Sequence, residues 1–216
     1  RCGTSLSSHE LYDNYQLVKH PAVYLKYPLI KEKASLLVWT TTPWTLLANV
    51  SVAVNPKLNY VRVKTNKEEL ILAKDRIKVL KGKYQILDSF KGRELIGKKY
   101  QGTFDELEAV DTDHKTIGWD EVGVEEGTGL VHIAPGCGQE DFQLARKNRL
   151  KIISPIDEAG IYLKGLGKYT GKNIKGIEKQ IFADLERKGL LYQTERYRHR
   201  YPLCWRCGDE LVFRSV

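Results

Sequence analysis

The chain has 216 residues, with 35 Lys and Arg against 27 Asp and Glu, a formal charge of +8; it is 42% hydrophobic and 29% charged. That balance excludes a collagen-like repeat, a disulfide scaffold and a disordered tail, and it suits one large domain or two small ones. No apolar run is long enough to span a membrane as a helix, so no membrane partner is expected, and the positive excess favours an anionic partner without naming it.

The polar start Arg1-Cys2-Gly3-Thr4 is unlike a signal peptide, and the lack of any Met leads us to expect a piece of a longer chain. Residues 1–33 read as irregular, with turn signals at Pro21 and Pro28. The run ASLLVWT at 34–40 is short, apolar and rich in strand formers, a buried strand that ends toward Pro43. Residues 51–54 and 59–65 flank the turn Asn55-Pro56-Lys57 and read as a hairpin, the second strand alternating Val61, Arg62, Val63, Lys64. Another strand follows at 69–73, then one or two helical turns at 75–80.

Residues 81–107 are rich in Lys and Gly, with short strands at 84–87 and 97–101 between loops. Strands are expected at 108–111 and 123–134, the latter with Gly127 and Gly129 marking a bulge or close approach. A helix is predicted over 139–148, a short strand at 151–155 and a turn at 157–160. Ile177, Ile181, Phe182 and Leu185 share one helical face, and Gly189 stops that helix. Residues 190–200 read as a strand. Short strands with few helices predict a β-rich α+β fold, a β-barrel-like core with peripheral helices.

Three clusters could carry chemistry. Trp39-Thr40-Thr41-Thr42-Pro43-Trp44-Thr45, with Asn49 just beyond, puts three hydroxyls at a strand end and two indoles that could wall a pocket or stack on a base. The alternative is a strand edge that uses Thr for its strand propensity. The stretch 127–141 runs from a strand through a glycine-containing loop into a helix. Asp141 lies in the first helical turn, where the helix's positive end favours an ionised carboxylate suited to anchoring an ammonium. His132, near the strand's end, could bound a pocket, hold a water or exchange a proton. The alternatives are a helix-stabilising Asp and a satisfied half-buried His. No phosphate-loop or serine-elbow pattern is present. Finally, Arg196, Arg198 and Arg200 alternate with Tyr197, His199 and Tyr201, so a strand shows the three Arg on one face. That face is either a phosphate-contacting surface or a solvated edge.

Cys204-Trp205-Arg206-Cys207-Gly208 is a C-x-x-C knuckle, and Arg1-Cys2-Gly3 echoes its second half. Two such knuckles would make a four-thiolate zinc site joining the two ends; Cys2, Cys204 and Cys207 are then an incomplete metal set within this chain. Otherwise they are ordinary reduced thiols. Cys137 reads as incidental.

Taken together, the threonine-rich segment through Asn49, the segment from Gly127-Thr128-Gly129 through His132, Ala134-Pro135 and Glu140-Asp141, and the flanking Ser7-Ser8-His9-Glu10, Tyr201-Pro202 and Cys204-Trp205-Arg206-Cys207 resemble the editing insertion, connective polypeptide 1, of isoleucyl-tRNA synthetases. The likeness covers essentially the whole chain. Thr42 before Pro43, where leucyl and valyl relatives have Arg, points to the isoleucyl branch, although Leu47 stands where that family commonly has Pro.

The resemblance implies one editing domain over 1–216 inserted in a larger cytoplasmic, ATP-binding ligase, with 1–33 and 195–216 forming a stalk or zinc-knuckle region near the host junction. It implies hydrolysis of valine mischarged on isoleucine tRNA, or of valyl-adenylate, with the rest of the synthetase in cis. Asp141 would anchor the α-ammonium and His132 would border the side-chain pocket. Thr40, Thr41 and Thr42 would line it and position carbonyl and water, while Trp39, Trp44 and Asn49 would shape it. Arg196, Arg198 and Arg200 would touch tRNA. No cofactor is implied for hydrolysis, and zinc would be structural in the parent. A noncatalytic zinc-knuckle tRNA-binding insertion, a valyl- or leucyl-type editing domain and a free-standing deacylase are the alternatives.

Overall fold

A computed structural model describes residues 14–215. Nine strands order the described residues: β1 (Tyr15–Pro28), β2 (Ala34–Thr40), β3 (Ser51–Val54), β4 (Asn59–Thr65), β5 (Glu69–Ala73), β6 (Tyr84–Lys91), β7 (Lys115–Gly118), β8 (Leu130–Ile133) and β9 (Leu191–Pro202). The α-helices among the described residues are α1 (Gln139–Asn148) and α2 (Glu178–Arg187).

β2 is the hub. One edge pairs antiparallel with β1, from Val23↔Thr40 to Pro28↔Ser35. The other edge forks: its start lies parallel to β5, its end parallel to β8 through Trp39↔Val131. β8 continues to β3 and β3 to β7. The segment at 97–101 then bridges β7 through Lys99↔Lys115 and the end of β1 through Leu29↔Tyr100, with Ile30 N–H donating to Lys99 at 3.0 Å and Gln101 N–H to Pro28 at 2.8 Å. The hydrogen bonds therefore return to β1 and curl the sheet into a barrel, while β5, β4 and β6 flare from its side. The β-rich fold with peripheral helices is as the sequence indicates. Leu25, Leu36, Leu37, Val38, Leu46, Leu47, Val52 and Val54 fill the core, each at most 1% exposed.

Several local expectations are corrected. Residues 15–28 are not irregular but form the longest strand. At Pro21 β1 has β9 as its one neighbour, because pairing with β2 begins at Val23, so that edge has no ladder for the missing N–H to interrupt. β3 and β4 are not a hairpin: β3 stays in the barrel and β4 pairs β5 and β6. Asn55 makes the parting turn, accepting from Lys57 N–H at 3.0 Å and donating to Asp120 and Val122 carbonyls at 2.8 and 3.0 Å.

Residues 108–111 hold a 3-10 turn, Glu108–Val110, and 151–155 joins no strand ladder. The strand expected at 123–134 shrinks to β8, because Gly127 and Gly129 adopt φ of 61° and 75°. β7 was not foreseen; its four residues carry little pattern.

Candidate functional site

A cleft of about 620 Å³ opens where β2 and β8 end side by side. The Trp39↔Val131 pairing brings the threonine-rich segment level with His132. Beyond Thr40 the chain turns into a 3-10 helix, Pro43–Ala48, with Thr42 as its N-cap and proline at the first position, where no N–H is needed. Beyond Ile133 it passes through a tight 3-10 turn, Pro135–Cys137, into α1. Thr40, Thr41, Thr42, Thr45, His132, Gly138 and Asp141, remote in sequence, thus share one wall system.

The threonines are ordered by their own hydrogen bonds. Thr42 N–H donates to Thr40 Oγ1 at 3.1 Å, and Thr45 Oγ1 donates to the Thr42 carbonyl at 2.8 Å. Thr40 and Thr42 hydroxyls lie 3.2 Å apart. Among the described residues the Thr41 hydroxyl has no hydrogen-bond partner, and Thr41 lines both this cleft and the hollow beside it.

His132 is 7% exposed; its Nε2 lies 3.0 Å from Thr45 Oγ1 and its Nδ1 2.7 Å from Asn49 Nδ2. Burial pulls its pKa down to about 3, so it is neutral at working pH. Asp141 is half-buried, and its Oδ2 accepts the Ala134 N–H at 2.7 Å. Burial lifts its pKa from 3.8 to about 6, outweighing that hydrogen bond. The helix end alone suggests the opposite direction. An ammonium brought against this carboxylate would recover the lost hydration and draw the pKa down again.

Some expected residues lie elsewhere. Trp44 is outside this cleft and lines a neighbouring hollow with Pro43 and Ile177. Asn49 is 1% exposed and reaches the cleft through His132. Cys137 does line the cleft, and burial first, then Asp141, pushes its thiol pKa far up, leaving no nucleophilic thiolate. Arg196, Arg198 and Arg200 are exposed along one face of β9.

Other cleft residues were missed. Tyr197, on the opposite face of β9 from the three Arg, turns into the cleft, its ring 4.9 Å from Trp39 and edge-on at 88°. The alternation that exposed the arginines was the signal for it. Trp119, Glu121, Glu125 and Glu126 come from the loop after β7, which has no local signature. Arg76, 9% exposed, braces that loop from behind, donating to the carbonyls of Gly127 at 2.8 Å, Glu125 at 3.1 Å and Val124 at 3.3 Å.

The knuckle forms a tight turn, with Gly208 N–H donating to Cys204 at 2.8 Å and Gly208 at φ 69°. Cys2 lies outside the described residues, as does Ser7-Ser8-His9-Glu10. Among the described residues no three His, Cys, Asp or Glu converge as metal ligands. Cys204 and Cys207 on one turn supply half of a tetrahedral zinc set. The cleft can do this: hold a cation at Asp141, present hydroxyls from Thr40 to Thr42, and exclude bulk at His132.

No protein-family model matches the chain. It is 43% identical over 233 aligned residues to the isoleucine–tRNA ligase of Pyrococcus horikoshii, covering all of this chain and 22% of that protein. It is 37% identical over 215 residues to that of Clostridium tetani, covering 99% of the chain and 21% of that protein. The chain therefore spans about a fifth of the length of these relatives. In fold it is similar to the cytosolic leucyl-tRNA synthetase editing domains of P. knowlesi (TM-score 0.58, 11% identity, 87% of this chain and 99% of that one) and P. falciparum (0.60, 11%, 81% and 100%).

Proposed function

The chain corresponds over its full length to one segment of the isoleucine–tRNA ligase family, and from that premise we propose that it is a hydrolytic editing domain that removes valine from isoleucine tRNA. The observation that carries the reading is the cleft's polarity. A half-buried carboxylate, Asp141, stands with a free hydroxyl, Thr41, and a buried neutral imidazole, His132, on one continuous surface.

An aminoacyl ester carries an ammonium, a carbonyl and a side chain within a few bonds of each other. Asp141 takes the ammonium by a charge-assisted hydrogen bond. Thr40, Thr41 and Thr42 position the carbonyl and an attacking water, and His132 bounds the side chain. The ester is already activated, so an oriented water and a polarised carbonyl supply the chemistry without a protein nucleophile. The water's hydroxyl joins the carbonyl carbon, the ribose oxygen leaves with the proton, and free amino acid and tRNA result.

Such a second site has an energetic reason. One methylene in an apolar pocket is worth about 1–3 kcal/mol, a limit known from the isoleucine–valine pair itself, so a synthetic site cannot reject valine by fit alone. A hydrolytic pocket that admits valine and excludes isoleucine completes the discrimination. The exposed Arg196, Arg198 and Arg200 would lie along the tRNA strand, and the β1–β9 ribbon would lead to the host synthetase.

Deacylation of valyl- and isoleucyl-tRNA for isoleucine by the intact synthetase tests this. The expected result is loss of valine with isoleucine spared, and weakened sparing in His132→Ala. Equal hydrolysis of both esters, or of neither, would overturn the reading.

A further inference from the structure

We propose that Tyr100 is a positioning residue for the cleft: through Asn49, its buried hydroxyl locks the His132 imidazole as the Nε2–H tautomer, making His132 a fixed hydrogen-bond donor and not a proton acceptor. The consequence for turnover rests on the hydrolytic reading above; the geometry does not.

Tyr100 sits on the segment that closes the barrel, where its backbone bridges Leu29. Its side chain is 1% exposed and packs on the rings of Tyr27 and His114, with centroids 4.9 and 5.1 Å away. From there its hydroxyl reaches Asn49 Oδ1 at 2.7 Å. The other end of the amide is committed twice: Nδ2 lies 2.9 Å from the Ser51 carbonyl and 2.7 Å from His132 Nδ1.

The tautomer follows from counting hydrogens. A carbonyl oxygen can only accept, so Ser51 demands the NH₂ group, and Tyr100 meets the amide oxygen by donating to it. The second amide hydrogen then points at His132 Nδ1, which must be bare to accept it. A neutral imidazole with a bare Nδ1 carries its proton on Nε2, and that proton is directed at Thr45 Oγ1, 3.0 Å away. Thr45 passes its own hydrogen to the Thr42 carbonyl.

Polarity therefore runs one way, from Tyr100 through Asn49, His132 and Thr45 to the threonine-rich wall. Neither imidazole nitrogen is left to accept a proton from water. Without the Tyr100 hydroxyl, Asn49 Oδ1 is a buried acceptor with no partner and the amide is held at its nitrogen end alone, so it tilts and the tautomers mix.

Tyr100→Phe is the test, since it keeps the ring packing and removes only the hydroxyl. Nitrogen-15 NMR of histidine-labelled protein reads the His132 tautomer directly. The parent protein should show one tautomer, with a bare Nδ1; the variant should show a mixture. In the intact synthetase, the variant's kcat for valyl-tRNA hydrolysis should fall about tenfold with little change in KM. A parent protein with the proton on Nδ1, or a variant with an unaltered tautomer, overturns the lock. A mixed tautomer with undiminished turnover overturns its role in the cleft. Absence of hydrolysis by the parent synthetase would overturn the functional reading alone, and the tautomer would still decide the lock.

Discussion

The indole of Trp39 lies against the backbone of Gly127 so closely that a Cβ on that glycine would stand 2.9 Å from the ring. Gly127 holds φ 61° there, and Trp39 is fixed further by its Nε1–H donating to Glu195 at 3.0 Å. The contact joins the end of β2 to the loop bearing Glu125 and Glu126, and so sets the width of the cleft.

Gly127→Ala should therefore destabilise twice over. A left-handed non-glycine residue costs roughly 1–2 kcal/mol, and the methyl group must also displace the indole. We expect a loss of about 2 kcal/mol or more in urea unfolding. Trp39→Ala in the same protein should remove the steric part, giving a coupling of about 1 kcal/mol in the double-mutant cycle. Strict additivity would show that the two residues do not press on each other.

Asp141 links activity and stability in opposite directions. Its pKa is raised from 3.8 to about 6 by burial, so the folded protein binds a proton that the unfolded chain has released. Ionised Asp141 is thus a cost that sets in as pH rises from about 4 to 6 and is full above that. Asp141→Asn still offers an acceptor to Ala134 N–H, so relative to the parent its melting temperature should be higher at pH 8 than at pH 4. The same change should abolish most hydrolysis, while in the parent kcat/KM falls as pH drops below about 6. A stability difference independent of pH would refute the raised pKa.

Arg76 holds three carbonyls of the cleft loop with one guanidinium. Arg76→Met keeps the apolar stem and strands those acceptors. A stability loss of roughly 2–3 kcal/mol is expected, together with a raised KM as the loop carrying Glu125 loosens. Arg76→Lys should recover only part, because an ammonium cannot span the three oxygens with the geometry of a planar fork. Full recovery by Lys would show that charge alone is required.

The three exposed arginines of β9 make a salt-dependence prediction. If each meets one phosphate, changing each to Ala should lower the slope of log affinity for tRNA against log salt by about 0.7–0.9. Tyr197 on the other face should leave that slope unaltered and change turnover. Equal slopes for the parent and the triple variant would remove this face from the tRNA path.

Local chemistry carried much of the molecule. The strand ASLLVWT at Ala34–Thr40 and the helix Gln139–Asn148 with Asp141 in its first turn were legible from a few adjacent residues, because apolar runs and helix starts are short-range patterns. The resemblance to the editing insertion rested on the segments that run on from that strand and into that helix, together with the flanking motifs at 7–10 and 201–207. The sequence by itself thus determined the two segments that meet and the residue types they bring.

Only the tertiary structure decided how they meet. β1 pairs with β9 across most of the chain's length, as at His20↔Tyr197, and that non-local ladder turns Tyr197 inward while its arginine neighbours face out. The barrel closure at Leu29↔Tyr100 delivers a hydroxyl to Asn49, behind His132, and the bend after Thr42 carries Trp44 out of the cleft. Asp141 shows the reason most clearly. A helix start predicts an ionised carboxylate from neighbours one turn away, but in the fold Asp141 lies in the cleft where β2 and β8 end, and its burial there raises its pKa to about 6.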